Sequence, residues 1–544
     1  MPQQKKPRSP TPAMVNSKAF RRLCSMLLLT TLSGLIWGQA PSVTTVTQIA
    51  PPADTGRIQI LGTERLTLLK LDDTTNLQIL AGNVRLRQGK TLFFCDSCVL
   101  NNSNHTFEAW TNVQINDNDS IQVNARHLRY LIDRKLAYLD GGVQLSDGKG
   151  QLSTPDLEYD LNTDIGIYKK GGRLVNKKTT LTSKEGYYYA SLKEVYFKND
   201  VYLKDPSYEI RTDSLLYNTA TQTNRFIAKT RIVDSSGRSI QTTDGFYSTA
   251  SGKAEFGKRP VIKDGATTIV GDRVAFDDNA GTSQAAGNVI IVDTVQGTTL
   301  LAGEVFRDNK KERLLATKKP LLIIEQDRDS IYLTADTIYS GEKPVLHSDT
   351  SQQNKDSTER YLEAFHHVRI FSDSLQSACD SLFYSYKDSI YRLFSNPVIW
   401  SSGSQITGDT MLLYTKNRKP QLLKVFENAM LVQQQEPELY NQIASFRMDG
   451  FFSNGDLDSV RALGEAKTIY YIQDEDSAYT GINESKSDII DIYLTKKELE
   501  KVVLRNEVSG TIWPIGQKDP LQMRLPGFRW LESRRPKSKF ELIE

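Results

Sequence analysis

The feature that most constrains this chain is a mark that recurs about every thirty residues. A small or polar pair followed by an aliphatic residue stands at Gly82-Asn83-Val84, Thr111-Asn112-Val113 and Gly141-Gly142-Val143. It returns, more loosely, at Gly172-Arg173-Leu174, Asn199-Asp200-Val201, Thr230-Arg231-Ile232, Arg259-Pro260-Val261 and Gly287-Asn288-Val289. The aliphatic positions are 27 to 31 residues apart. A second mark interleaves with the first: an aromatic residue, often shortly after an aspartate, at Tyr130, Tyr159, Tyr188, Tyr217, Tyr247, Phe276 and Phe306, in steps of 29 or 30. Two marks held in step over this span require a stack of like units, each burying its apolar face against the next. The ladder resumes past a polar stretch at His367-Val368, Asn396-Pro397-Val398 and Asn428-Ala429-Met430, and persists weakly at Gly464-Glu465-Ala466 and Asn506-Glu507-Val508.

Within a unit the local code is strand. Residues 224–234 and 238–248 are rich in β-branched and aromatic residues with partial alternation, and Ser235-Ser236-Gly237 between them reads as a turn. Only Lys496–Leu504 suggests a short helix. Each unit is therefore predicted to be two long strands, and a glycine in mid-strand predicts a bend or bulge that lets one strand serve two facing sheets. The expected fold class is all-β: an elongated, repeat-built slab of two facing sheets. The expected organisation is a signal peptide at 1–40, a polar linker at 41–56, slab repeats at 57–339, a polar insertion at 340–360, further repeats at 361–510 and a charged tail at 511–544.

The 544 residues carry 68 Lys+Arg against 65 Asp+Glu. Six of the bases, Lys5, Lys6, Arg8, Lys18, Arg21 and Arg22, fall in the first forty residues, which hold no acid. The rest is near neutral, without the charge excess that binds nucleic acid through phosphates. The basic stretch precedes an apolar run, Leu23–Trp37, too short for a comfortable bilayer span. Gly38 and Ala40 suit cleavage after Ala40, which predicts export to the periplasm; Met1 and Met14 are alternative starts.

A search for chemistry finds little. Cys95-Asp-Ser-Cys98 has redox or zinc spacing but lies in a strand-like run without a second pair, so a local disulfide or two idle thiols is the expectation. His366 and His367, adjacent in a strand, face opposite ways. The aspartates Asp213, Asp244, Asp272, Asp336, Asp380 and Asp409 recur with the repeat. Catalysis needs one special pair rather than a recurring one, so a turn or strand-end role is expected. No catalytic residue, metal site or cofactor is expected.

The ladder resembles the OstA-like family, which is related to the periplasmic lipopolysaccharide-transport protein LptA. The resemblance rests on Ala81-Gly82-Asn83-Val84, Gly287-Asn288-Val289, Asn396-Pro397-Val398-Ile399-Trp400 and Ser404-Gln405-Ile406-Thr407-Gly408-Asp409. It implies a β-jellyroll whose interior holds lipopolysaccharide acyl chains, and hence a non-enzymatic lipid conduit in the periplasm serving outer-membrane assembly. Val84, Val113, Val143, Val201, Ile232 and Val289 are the candidate groove-lining residues; alternation alone leaves a sealed core equally open for them. Other transport components would add at the edge strands, and end-to-end homo-oligomers would use the same edges. Two other readings remain: a structural or adhesive β-solenoid with a sealed core, and a carbohydrate-active β-helix enzyme, which needs a non-repeating acid cluster that the sequence does not show.

Overall fold

The computed structural model describes residues 56–117, 121–326, 330–344, 358–495 and 498–543. The expected leader with its cleavage after Ala40, and most of the polar insertion with His347, lie outside them. Residues Asp54–Glu544 form one compact unit. The fold is all-β and antiparallel, as expected, with strands stacked largely in chain order.

The repeating mark is a bend. Gly82 and Asn83 both have left-handed backbone (φ 82° and 48°), as do Thr111–Asn112, Gly141–Gly142, Asn199–Asp200, Gly287–Asn288, His366–His367 and Glu427–Asn428. Pairing shifts register at these points, for example between Ala81 and Val84 and between Ala286 and Val289. Two consecutive left-handed residues add length to one strand, turn it, and return the next side chain to the inner face. That conformation costs an ordinary L-residue about 1–2 kcal/mol, which is why Gly and Asn dominate the mark. At Gly82 a Cβ would lie 2.3 Å from Glu64 Oε2 and 2.8 Å from Glu64 Cβ, so any side chain there would displace Glu64.

The recurring acids serve these bends. Asp272 donates its N–H to the Gly287 carbonyl (2.8 Å), and its carboxylate accepts from Asn288 Nδ2 (2.8 Å) and Arg259 (3.0 Å). Asp409 accepts from Asn428 Nδ2 (2.9 Å), and Asp336 meets His367 Nδ1 (2.9 Å) while its N–H reaches the His366 carbonyl (3.0 Å). A bend frees a backbone carbonyl from the ladder, and the N–H of a residue on the neighbouring strand satisfies it: an acid at Asp272 and Asp336, Lys184 at the Asn199–Asp200 bend (2.9 Å).

Every long strand thus runs from one lip of the slab, through the bend, to the other lip. The strand Asn76–Gln88 pairs through its first half with Arg65–Lys70 and through its second half with Gln59–Gly62. The two halves belong to a first and a second sheet, facing each other across the core. Several units depart from the expected pair of long strands. Residues 224–234 form two short strands, Thr223–Phe226 and Thr230–Asp234, one in each sheet. Residues 238–248 divide likewise into Ser239–Thr242 and Gly245–Ser248. At Thr230 the loose mark therefore opens a strand rather than bending one. The short helix expected over Lys496–Leu504 is absent from its described part: the strand Glu498–Arg505 pairs with Tyr479–Thr495, and sheet pairing overrides its weak local preference.

One apolar core runs from Leu80 to Leu494. It passes 340–360 without a break, because the strand Thr337–Pro344 pairs with Thr358–Phe371 along its whole length. At ~4.8 Å per strand the ladder's contour is roughly 130 Å.

The C-terminal segment docks on the slab. After the strand Ser509–Pro514 it turns back across the outer face of the second sheet. Gln442, fully buried, donates from Nε2 to the Met523 carbonyl (2.9 Å) and accepts the Leu525 N–H on Oε1 (2.8 Å). Gln405, also fully buried, repeats this with the Arg529 carbonyl (2.7 Å) and the Leu531 N–H (2.6 Å). Gln376 accepts from Arg535 (2.7 Å). Between these rungs Met523 and Leu525 pack on Met430, Val432 and Tyr471, and Leu531 packs on Ala378, Val398 and Trp400.

Candidate functional site: the mouth of the slab

The two lips lie opposite the bend, and their contacts decide whether the interior is reachable. Along the N-terminal part, polar clasps join them. Tyr130 on the first sheet donates to Gln88 on the second (2.5 Å), and Tyr159 donates to Asp117 (3.3 Å). Asn176 donates to the Tyr217 hydroxyl (3.1 Å), Asn224 to the Tyr208 hydroxyl (3.0 Å), and Thr219 to the Asp147 carboxylate (2.8 Å). Burial pushes the Tyr217 hydroxyl up to about 12, so it stays neutral. Burial also raises Tyr159, helped by the nearby Asp117 charge. The aromatic mark of the sequence supplies several of these clasps: its rings fill the core and their hydroxyls reach across to the far lip.

Further along, the arrangement changes. Arg418, in the turn after Thr410–Lys416, reaches across the mouth and donates to the carbonyls of Glu325 and Gln296 (2.8 Å each). Beneath it lies a cavity of about 800 Å³ between the sheets. Its walls are Ile331, Ile370, Leu375, Leu393, Ile399 and Leu413. Its rim carries Arg418 and Lys419 on one lip and Glu325 and Asp373 on the other. Ser377, 1% exposed, lines the cavity with a hydroxyl that has no hydrogen-bond partner. The cavity therefore combines apolar walls with a polar rim of both charge signs, which also holds Gln326, Asn417, Asn454 and Asp456, and it has the size of a small-ligand pocket.

All six sequence candidates sit elsewhere. Val84, Val113, Val143, Val201, Ile232 and Val289 are between 1% and 4% exposed and belong to the packed core. None lines the cavity under Arg418. The residues that do line it escaped the sequence reading, because Arg418 acts through lips more than ninety residues away in sequence. A polar serine in a strand otherwise inward-apolar, at Ser377, was the one local signal.

Cys95 and Cys98 are free, buried thiols on one strand. A hydrogen bond between them and then burial raise Cys98, so Cys98 does not behave as a reactive thiolate. Among the described residues no group of His, Cys, Asp and Glu is placed to hold a metal. Among the described residues no helix is long and apolar enough to cross a membrane.

A two-sheet antiparallel slab with an apolar cavity at its mouth defines the class: an all-β protein of β-jellyroll build. Residues 56–213 match the family described as OstA-like protein, so this part of the chain is OstA-like. The same bends and strand pairing continue through the residues that follow. The solved structure of LptH from Pseudomonas aeruginosa is titled the LptA-homologous periplasmic component of the lipopolysaccharide transport device. It is similar at 14% identity with a TM-score of 0.19, over 24% of this chain and 82% of that one, a likeness too slight to carry an argument. No curated protein matches the chain.

Proposed function

We propose that this protein is a non-enzymatic lipid conduit of the periplasm that shelters lipopolysaccharide acyl chains between its sheets on their way to the outer membrane. The observation that carries the reading is the cavity under Arg418, an apolar space opening from the core at a charged lip. Each methylene moved there from water gains about 0.8 kcal/mol. Arg418 and Lys419 stand where an anionic headgroup would remain in solvent. The OstA-like match over 56–213 supports the same reading. Acyl chains would reach the six core positions, Val84 to Val289, only where the clasps part. The edge strand Arg65–Lys70, with Leu66 and Leu68 at 49% and 71% exposure, is an open pairing edge for another transport component. Glu498–Arg505 and Ser509–Pro514 stand at the opposite end of the ladder, where a further component or a second copy would add.

The test is native mass spectrometry of protein purified from periplasm, combined with photo-crosslinkers at Leu413 and Ile370. Co-purified lipid A crosslinked at both positions is the expected result. Protein free of lipid, with no crosslink at either, would overturn the proposal in favour of a structural slab.

A further inference from the structure

The bend side of the slab carries a second concavity. Where the tail crosses the bends near Asp336, His367, Asp380 and Asn396, it leaves a groove of about 900 Å³. Four cations line it from three separate parts of the chain: Lys319, Arg369, and Arg529 with Arg534 in the tail. The two carboxylates in the lining are already engaged, Asp336 with His367 Nδ1 (2.9 Å) and Asp380 with His366 Nδ1 (3.3 Å). Arg369 donates to the Glu541 carbonyl (3.1 Å) and Arg534 to the Asn396 carbonyl (3.3 Å), neutral acceptors that bring no opposite charge. The groove is thus a region of net positive charge, unlike the mixed rim of the mouth.

It is also preorganised. The Arg529 carbonyl is held by Gln405, and Arg535, next to Arg534, is held by Gln376. Both rungs are anchored in the second sheet, so the tail backbone that carries Arg529 and Arg534 is fixed against the slab. Guanidinium forks converging from several sides suit a tetrahedral oxyanion, which offers acceptors in several directions. We infer that the groove between the C-terminal tail and the bend is a phosphate-binding site, with Arg369, Arg529, Arg534 and Lys319 as its cations. The phosphate is either a free anion or the phosphorylated headgroup of a lipid. The site lies outside the core, independent of the cavity at the mouth.

The experiment uses the full chain in phosphate-free buffer of low ionic strength. One arm titrates inorganic phosphate calorimetrically. The other measures sedimentation with vesicles of phosphatidylglycerol in phosphatidylcholine, against phosphatidylcholine alone. The variants are Arg529→Gln with Arg534→Gln, and Arg369→Gln by itself in case the pair loosens the tail, with circular dichroism to confirm folding. Lys318→Gln, at the bend but bonded to Glu304, is the control. Saturable phosphate binding that weakens at least about tenfold in the double variant and in Arg369→Gln, and survives Lys318→Gln, is the expected result for a free anion. Vesicle binding lost in the same variants, without binding of free phosphate, assigns the site to a headgroup. Wild-type protein that binds neither probe, or folded variants that bind as well as wild type, would overturn the inference.

Discussion

Replacing Gln405 with alanine should unfasten the C-terminal tail while leaving the slab folded. The side chain is fully buried and makes two bonds to one stretch of backbone: Nε2 to the Arg529 carbonyl and Oε1 from the Leu531 N–H. It pairs with the tail as a neighbouring strand would. Each such bond is worth about 1 kcal/mol net, and a buried backbone group left without a partner costs about 1–3 kcal/mol more. The tail escapes part of that cost by lifting into water, which forfeits the packing of Leu531 on Val398 and Trp400. A weakening of about 2–4 kcal/mol follows, a rise of roughly 30- to 700-fold in the population with this segment open. Trypsin reports it directly, because Arg529 and Arg534 lie in the segment, neither followed by proline. Under conditions where opening is fast relative to cleavage, the rate tracks the open population. Cleavage there should accelerate by that factor, the Leu531 amide should exchange faster by a similar one, and the main melting transition should move little. Unchanged cleavage would refute the idea that Gln405 holds the tail. A collapse of the whole melting transition would refute the idea that the tail is a strap rather than part of the slab's own stability.

Three further outcomes are expected. Thr111, a β-branched residue at φ 64°, occupies a position where Asn is better tolerated, so Thr111→Asn should stabilise by about 0.5–1 kcal/mol, read as a higher denaturant midpoint at unchanged slope. Val201→Asp, at 2% exposure in the packed core, should cost several kcal/mol and abolish cooperative melting, whereas Leu413→Asp at the cavity wall should melt nearer to wild type; equal damage at both sites would contradict the distinction between core and cavity. Asp491 is held below the ordinary aspartate range, chiefly by the hydrogen bond from Arg461, with Arg505 adding to it. Its contribution is therefore complete above about pH 4 and lost as pH falls through the lowered value; the melting difference between wild type and Asp491→Asn should be largest near neutrality and shrink in strong acid.

Much of the fold was legible because the bends are local. A left-handed pair followed by an inward aliphatic residue is a demand on three consecutive positions, and Gly82-Asn83-Val84 or Gly287-Asn288-Val289 meets it within the chain's own backbone. The recurring aspartates were legible as bend or turn residues for the same reason, although the hydrogen-bonding that explains them joins strands some sixteen to thirty residues apart. The division of residues 224–234 into two half-strands was not legible: strand propensity is the same whether the chain continues in one sheet or crosses to the other. The aromatic mark showed that Tyr130, Tyr159 and Tyr217 stand in corresponding places. It did not show that their hydroxyls clasp the far lip, with partners 41 or 42 residues away.

By itself, then, the sequence determined the period, the bend at marks such as Gly82-Asn83 and Gly287-Asn288, and the inward direction of Val84, Val113, Val143, Val201 and Val289, since backbone conformation and side-chain alternation are set by neighbours along the chain. The tertiary structure alone decided where the interior is sealed, where it opens under Arg418, and that the charged tail lies strapped across Gln376, Gln405 and Gln442. Those outcomes depend on groups that meet only after the two sheets have closed on each other, and no local pattern records which lip a buried glutamine or an arginine in a turn will reach.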